Sequence, residues 1–250
     1  MQLKLISCEV FFRELSYCAA LSPHTIDIEF TEKDAHERSP HLRGIIQEKI
    51  DAAESSDTRY EAILLGFGLC GNSIAGLNAR ATKLVVPRAH DCCTLFLGSR
   101  ERFKEHFKDN PSMPFSSAGY LERGTSFMRE STLEETLGAD ETYRKYVEQY
   151  GEENARYLME TLHTAPHQDR VVFIDVPEFS HLGYADRCRE QAESEGRAFT
   201  RLQGSLRLFR ALTAGDWNDE EFLIVEPGGT VEPTYDWDQI VRSGRRAGDE

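Results

Sequence analysis

The chain lacks any long apolar run: no stretch approaches the ~20 apolar residues that a membrane-spanning helix needs. It also lacks a basic excess. Its 29 Lys and Arg residues are outnumbered by 43 Asp and Glu, a formal net charge of -14 over 250 residues. Such a surface repels nucleic-acid phosphates and anionic membranes, so neither is an expected partner. There is no short-period repeat and no low-complexity block. No CxxC pair occurs, so cysteine spacing alone says little about metal binding. The opening stretch MQLKLISCEVFFREL does not read as a secretory leader, because Lys4 and Glu9 interrupt its apolar run. The expected address is the cytoplasm, where the six cysteines would stay reduced.

What is present is an ordinary globular balance of 40% hydrophobic and 29% charged residues. Strands are expected over residues 4–10, 25–30, 60–65, 83–86, 171–175, 198–202 and 222–225. Helices are expected over residues 13–21, 42–53, 72–81, 94–107, 140–150, 152–163, 184–195 and 205–212. This alternation predicts an α/β fold with a mostly parallel, Rossmann-like sheet. It forms either two related lobes or one doubly wound sheet with a helical insertion around residues 130–165. The organisation expected is a first α/β lobe over 1–130, a helical connection over 131–168, a second lobe over 169–240 and a polar tail over 241–250.

In open parallel sheets ligands gather at the carboxyl ends of the strands, so the residues just after each strand matter most. Cys8 and Glu9 close the first expected strand. Gly66-Phe67-Gly68-Leu69-Cys70-Gly71-Asn72 follows another, and Arg88-Ala89-His90-Asp91-Cys92-Cys93 a third. The first of these loops contains a literal GxGxxG. One reading makes Gly66, Gly68, Gly71 and Asn72 a dinucleotide-phosphate cradle, with Asp91 as the ribose acid and NAD(P) or a flavin as cofactor. The motif sits on an internal strand, before a very short helix, and Asp91 lies well past its strand. The other reading treats the glycines as backbone freedom that presents Cys70. Cys8, Cys70, His90 and Cys92 would then converge from neighbouring strands. Thiolate and imidazole ligands of this kind suit zinc, with three ligands and one open position being the catalytic pattern. Another transition metal, or none, is the alternative. Without metal, Cys70 would be a nucleophile with His90 as its base. Asp91 would orient His90, and Arg88 would pair an anionic substrate.

Plainer readings stand beside these. Cys18, Cys93 and Cys188 read as small core residues, and Cys8, Cys70 and Cys92 admit the same reading. His90 beside Asp91 also reads as an oriented structural histidine. Tyr143, Tyr146, Tyr150 and Tyr157 read as helix packing, and the remaining histidines, His36 among them, as surface or cap residues.

The segments ISCEVFFREL, AILLGFGLCGN, PRAHDCCTLFLGSRERF, GYLERG and VEPGGTV resemble a bacterial and archaeal family known as domain of unknown function 1638. The similarity runs from Cys8 to about Pro233. The resemblance implies that Cys8, Cys70, His90, Asp91 and Cys92 are motif residues, with Glu14, Arg88 and Ser99 as their neighbours. It also implies a link to methyl or one-carbon metabolism, through an association with corrinoid-dependent methyltransferases. The resulting expectation is a metal-dependent protein of methyl or thiol-group transfer, or of hydrolysis. The alternatives are a non-catalytic accessory protein that binds a corrinoid protein or cofactor, and a nucleotide-binding oxidoreductase.

Overall fold

β1 (Gln2–Cys8) lies inside the main sheet of the computed structural model, which describes residues 1–32, 39–107, 113, 115–123, 170–234, 236 and 238–245. It pairs in parallel with β2 (Thr25–Thr31) on one side and with β3 (Ala62–Gly66) on the other. β4 (Leu84–Pro87) continues the parallel set beyond β3. The chain returns much later as β8 (Phe222–Val225), antiparallel to β4, giving the order β2-β1-β3-β4-β8. All five residues of β3, AILLG, are buried, which is the signature of a parallel strand covered on both faces.

α1 (Phe12–Ala20) links β1 to β2, and α2 (Ser39–Glu54) links β2 to β3. The two crossovers run in opposite directions from β1, so the helices cover opposite faces. Leu15 and Cys18 of α1 pack with Leu3, Leu5 and Leu64. Leu42, Ile46 and Ile50 of α2 pack with Ile6, Ile63 and Leu65. The strand order thus reverses at the β1–β3 boundary, where the loops after two adjacent parallel strands part to opposite faces.

A second parallel sheet is formed by β5 (Phe115–Ser116), β6 (Arg170–Asp175) and β7 (Ala198–Gln203) in that order. Its Val172, Ile174 and Val176 belong to the same core cluster as α1 and the main sheet. Its other face is covered by α6 (Tyr184–Ser194), through Ala185, Cys188 and Ala192. α3 (Cys92–Leu97), α4 (Arg100–Phe107), α5 (Ala118–Arg123) and α7 (Arg207–Ala214) complete the α-helices among the described residues. The antiparallel pair β9 (Gly229–Pro233) and β10 (Val241–Arg245) sets Val231 and Val241 into the core on the α2 face.

Mixed α/β architecture and a mostly parallel main sheet therefore hold. Four local expectations change. The helix expected over 94–107 is two helices, broken at Gly98, whose φ of 72° ends α3. The helix expected over 72–81 is absent. Residues 70–76 form turns, and the following residues bond to β9, with Gly76 N–H donating to the Val231 carbonyl at 2.7 Å and Ala79 N–H to that of Gly229 at 3.0 Å. The boundary expected at 169 is crossed twice, since β5 pairs with β6 and β8 pairs with β4. The polar tail expected from 241 opens with β10. The helical connection expected over 131–168, the four helix-spaced tyrosines and His36 lie outside the described residues.

Candidate functional site

The β3 strand runs into Gly66, and Ser7 at the end of β1 donates its hydroxyl to the Gly66 carbonyl at 3.0 Å. A Cβ on Gly66 would stand 2.3 Å from that hydroxyl oxygen. One on Gly68 would stand 2.6 Å from the Asp91 backbone. The two glycines thus let three neighbouring strand ends close on one another. Two further bonds complete the closure: Leu69 N–H donates to the Ala89 carbonyl at 2.9 Å, and Cys70 N–H to that of His90 at 3.1 Å.

Cys70, Gly71 and Asn72 then take left-handed conformations in succession, with φ of 44°, 63° and 69°. Only the middle one is glycine. For an L-residue this region costs about 1–2 kcal/mol, because Cβ crowds the following carbonyl oxygen. Ser73 holds the turn shut: its N–H donates to the Leu69 carbonyl at 2.9 Å and its hydroxyl to the Cys70 carbonyl at 2.7 Å. The Asn72 carbonyl accepts from Arg43 of α2 at 2.9 Å. Cys70 is half-buried.

The β4 loop supplies the opposing wall. Asp91 caps α3, its Oδ1 accepting from Thr94 N–H at 3.1 Å. Its Oδ2 lies 3.8 Å from His90 Nδ1. The His90 ring stacks on Phe103 of α4 at 5.4 Å and keeps 44% of its side chain exposed. Buried Cys92 turns its sulfur toward Tyr120 Oη of α5, at 2.9 Å. Arg88 is directed elsewhere. Its guanidinium donates to the Asp219 carbonyl at 2.9 Å and the Gln239 carbonyl at 2.8 Å, and also to that of Val241. It staples the loop to the β9–β10 hairpin.

Cys8 ends β1 and borders both core clusters, touching the one that also takes in Leu69. The structure therefore gathers the Cys8, Gly66–Asn72 and Ala89–Asp91 segments at adjacent strand ends. It sends the Cys92 sulfur toward α5 and Arg88 toward the hairpin. Among the described residues, no group of three or more His, Cys, Asp or Glu side chains is arranged to hold a metal ion.

The structure adds residues that motif reading passed over or left at the margin. Buried polar side chains mark the carboxyl ends of four parallel strands: Ser7 on β1, Thr31 on β2, Ser116 on β5 and Asp175 on β6. Ser117 follows β5, also buried. Glu14 on α1 has no exposed surface, and neither carboxyl oxygen has a hydrogen-bond partner among the described residues. Burial, with Glu122 nearby, pushes its carboxyl up to about 8. Its position is legible in hindsight: Phe11, Glu14, Leu15 and Cys18 form one helical stripe, and a carboxylate on an apolar stripe is the anomaly to notice. α5 docks just beside it. A Cβ on Gly119 would lie 1.7 Å from the Val10 carbonyl oxygen, so the two sheets' strand ends meet there.

A mixed α/β fold whose mostly parallel main sheet reverses its strand order between β1 and β3 is the class that this geometry defines. The family model for proteins of unknown function DUF1638 matches residues 30–213, and the chain belongs to that family. The matched span takes in Cys70, His90, Asp91 and Cys92, while Cys8 and Glu14 precede it. Searches of curated proteins and of solved structures gave no match.

Proposed function

We propose that the chain engages a small molecule through the Cys70 thiol in the crevice between the ends of β1 and β3. The observation that carries this reading is the left-handed turn begun by Cys70, a non-glycine residue held in strain by a bond to the loop after β4 and by Ser73 of its own turn. The strand order supports it too, because open parallel sheets bind ligands where the strand order reverses, here between β1 and β3. The reaction class is methyl or thiol-group transfer. In the methyl case the Cys70 sulfur supplies the electron pair of a new S–C bond. The donor's departing atom keeps the pair of the bond that breaks, and the thiol proton passes to His90. Asp91 stands beside that ring, its Oδ2 3.8 Å from His90 Nδ1.

Alkylation tests the reading. Burial pushes the Cys18 and Cys188 thiols up to about 12, so both stay protonated and slow. Iodoacetamide at neutral pH, read by peptide mass spectrometry, is expected to label Cys70 about tenfold faster than Cys188 or more. Equal rates would overturn the proposal.

A zinc-centred version is favoured by ligand chemistry: Cys8, Cys70 and His90 stand on the ends of three adjacent strands. It requires the β3 and β4 loops to close on the ion. Elemental analysis of purified protein decides it, with about one metal per chain expected in the wild type and loss of metal in a Cys8→Ser, Cys70→Ser double variant. In the accessory version, the acidic surface docks a corrinoid or methyltransferase protein, and a pull-down without turnover of any methyl or thiol donor would favour it.

A further inference from the structure

A cavity of about 780 Å3 opens at the carboxyl ends of β6 and β7, within the size range of small-molecule sites. Gly204, Ser205 and Leu206 lead from β7 into α7 along its wall. Three guanidinium groups face it: Arg102 of α4, and Arg207 and Arg210 of α7. Three carboxylates, Glu178, Asp216 and Glu221, share the lining, so the wall is formally neutral in a chain of net charge -14.

The ion pairs of the cavity are layered. Arg207 grips Glu221 with both terminal nitrogens, and its Nε donates to the Gly98 carbonyl at 2.9 Å. Arg210 donates to Glu178 at 2.6 Å. The arginine side chains are 49% and 54% exposed, whereas their carboxylates are only 16% and 26% exposed. The anions therefore stand behind and fix the forks, and the cations form the surface that a ligand meets. Arg102 is steadied by the Leu97 carbonyl at 3.1 Å. The amino end of α7, where Ser205 Oγ accepts from Arg207 N–H at 3.2 Å, adds its positive pole to the same wall. A guanidinium carries five N–H donors, so Arg207 keeps capacity for an oxyanion beyond the three it uses.

We infer that this cavity binds a phosphorylated small molecule, its phosphate held by Arg207, Arg210 and Arg102 beside the amino end of α7. Pre-formed arginine forks match the several oxygens of a phosphate, and the open side of the cavity leaves room for the organic remainder. The site stands apart from Cys70 and does not rest on thiol chemistry.

Arginine footprinting with phenylglyoxal tests it on the full chain. At a phosphate concentration about twice the dissociation constant, modification of Arg207 and Arg210 is expected to slow about threefold, with Arg242 on β10 unchanged. Phosphate is also expected to raise the melting temperature of the wild type and not that of Arg210→Gln. Arg102→Gln, which gives up a single backbone bond, serves as a second variant should Arg210→Gln fail to fold. Glycerol 3-phosphate binding more tightly than inorganic phosphate assigns an organic phosphate, and equal binding assigns the free ion. No protection and no thermal shift with either probe would overturn the inference.

Discussion

The backbone N–H of Cys70 donates to the carbonyl of His90 at 3.1 Å, joining the loops after β3 and β4 across the mouth of the main sheet. The bond fixes where the left-handed turn begins, and so where the Cys70 sulfur is presented. Much of the candidate site depends on this single link, and it yields the first expectation.

The positive φ at Cys70 suits glycine better than alanine. Cys70→Gly is expected to be more stable than Cys70→Ala by about 1 kcal/mol, because only the alanine keeps a Cβ at positive φ. Both lose the thiol and with it any Cys70 chemistry. Urea midpoints of the two variants measure the difference, and a more stable alanine variant would remove the strain argument.

Gly68 meets the Asp91 backbone with no room for a methyl group. Gly68→Ala is expected to part the two loops, at a cost of about 2–3 kcal/mol. Cys70 alkylation should change in the same variant, since the turn is anchored through that contact. A variant with unchanged stability and unchanged labelling would contradict the closure described here.

Arg88 serves as the contrast. Its guanidinium is occupied by backbone carbonyls near β8 and β10. Arg88→Met is expected to lose about 1–3 kcal/mol of stability while Cys70 alkylation stays at the wild-type rate. A change in labelling without a loss of stability would give Arg88 the substrate-pairing role instead.

Glu14 predicts a pH dependence. Its folded carboxyl sits at about 8 against an ordinary value of 4.5. The folded state therefore holds a proton that the unfolded state releases between these values. The associated stability is complete below about 4.5, falls as pH rises, and is gone above about 8. Glu14→Gln should flatten this decline and be the more stable protein at alkaline pH. Chemical denaturation of both proteins across this range is the measurement, and parallel curves would show that Glu14 ionises freely when folded.

The order β1-α1-β2-α2-β3-β4 was legible because each strand is a short apolar run and each helix carries one apolar stripe. The strand-end loops followed from that order, and so did the placing of the segments that hold Cys8, Cys70 and His90 at the ends of adjacent strands. Other features depend on distant partners. Ile74 and Leu77, three residues apart, suit a helix. They are also buried in a chain of turns that bonds to β9, about 150 residues later in sequence. Gly98 breaks the helix after Leu97 where a Cβ would stand 2.8 Å from that of Ser205, a constraint no local pattern carries. The same holds for β8: FLIV reads as a strand, and nothing in those four residues says that it runs antiparallel beside β4. The sulfur direction of Cys92 is set by Tyr120, on an element whose approach depends on Gly119.

The late return of β8 has a consequence for how the chain is made. β1, β3 and β4 are available once residue 87 has been synthesised, yet the outer edge of β4 gains its neighbour only with residues 222–225. Throughout that interval β4 is an uncovered edge rich in valine and leucine, the kind of strand that recruits the wrong partner. Nascent or truncated chains ending before residue 222 should therefore be the forms that chaperones retain, while the completed chain closes its own seam.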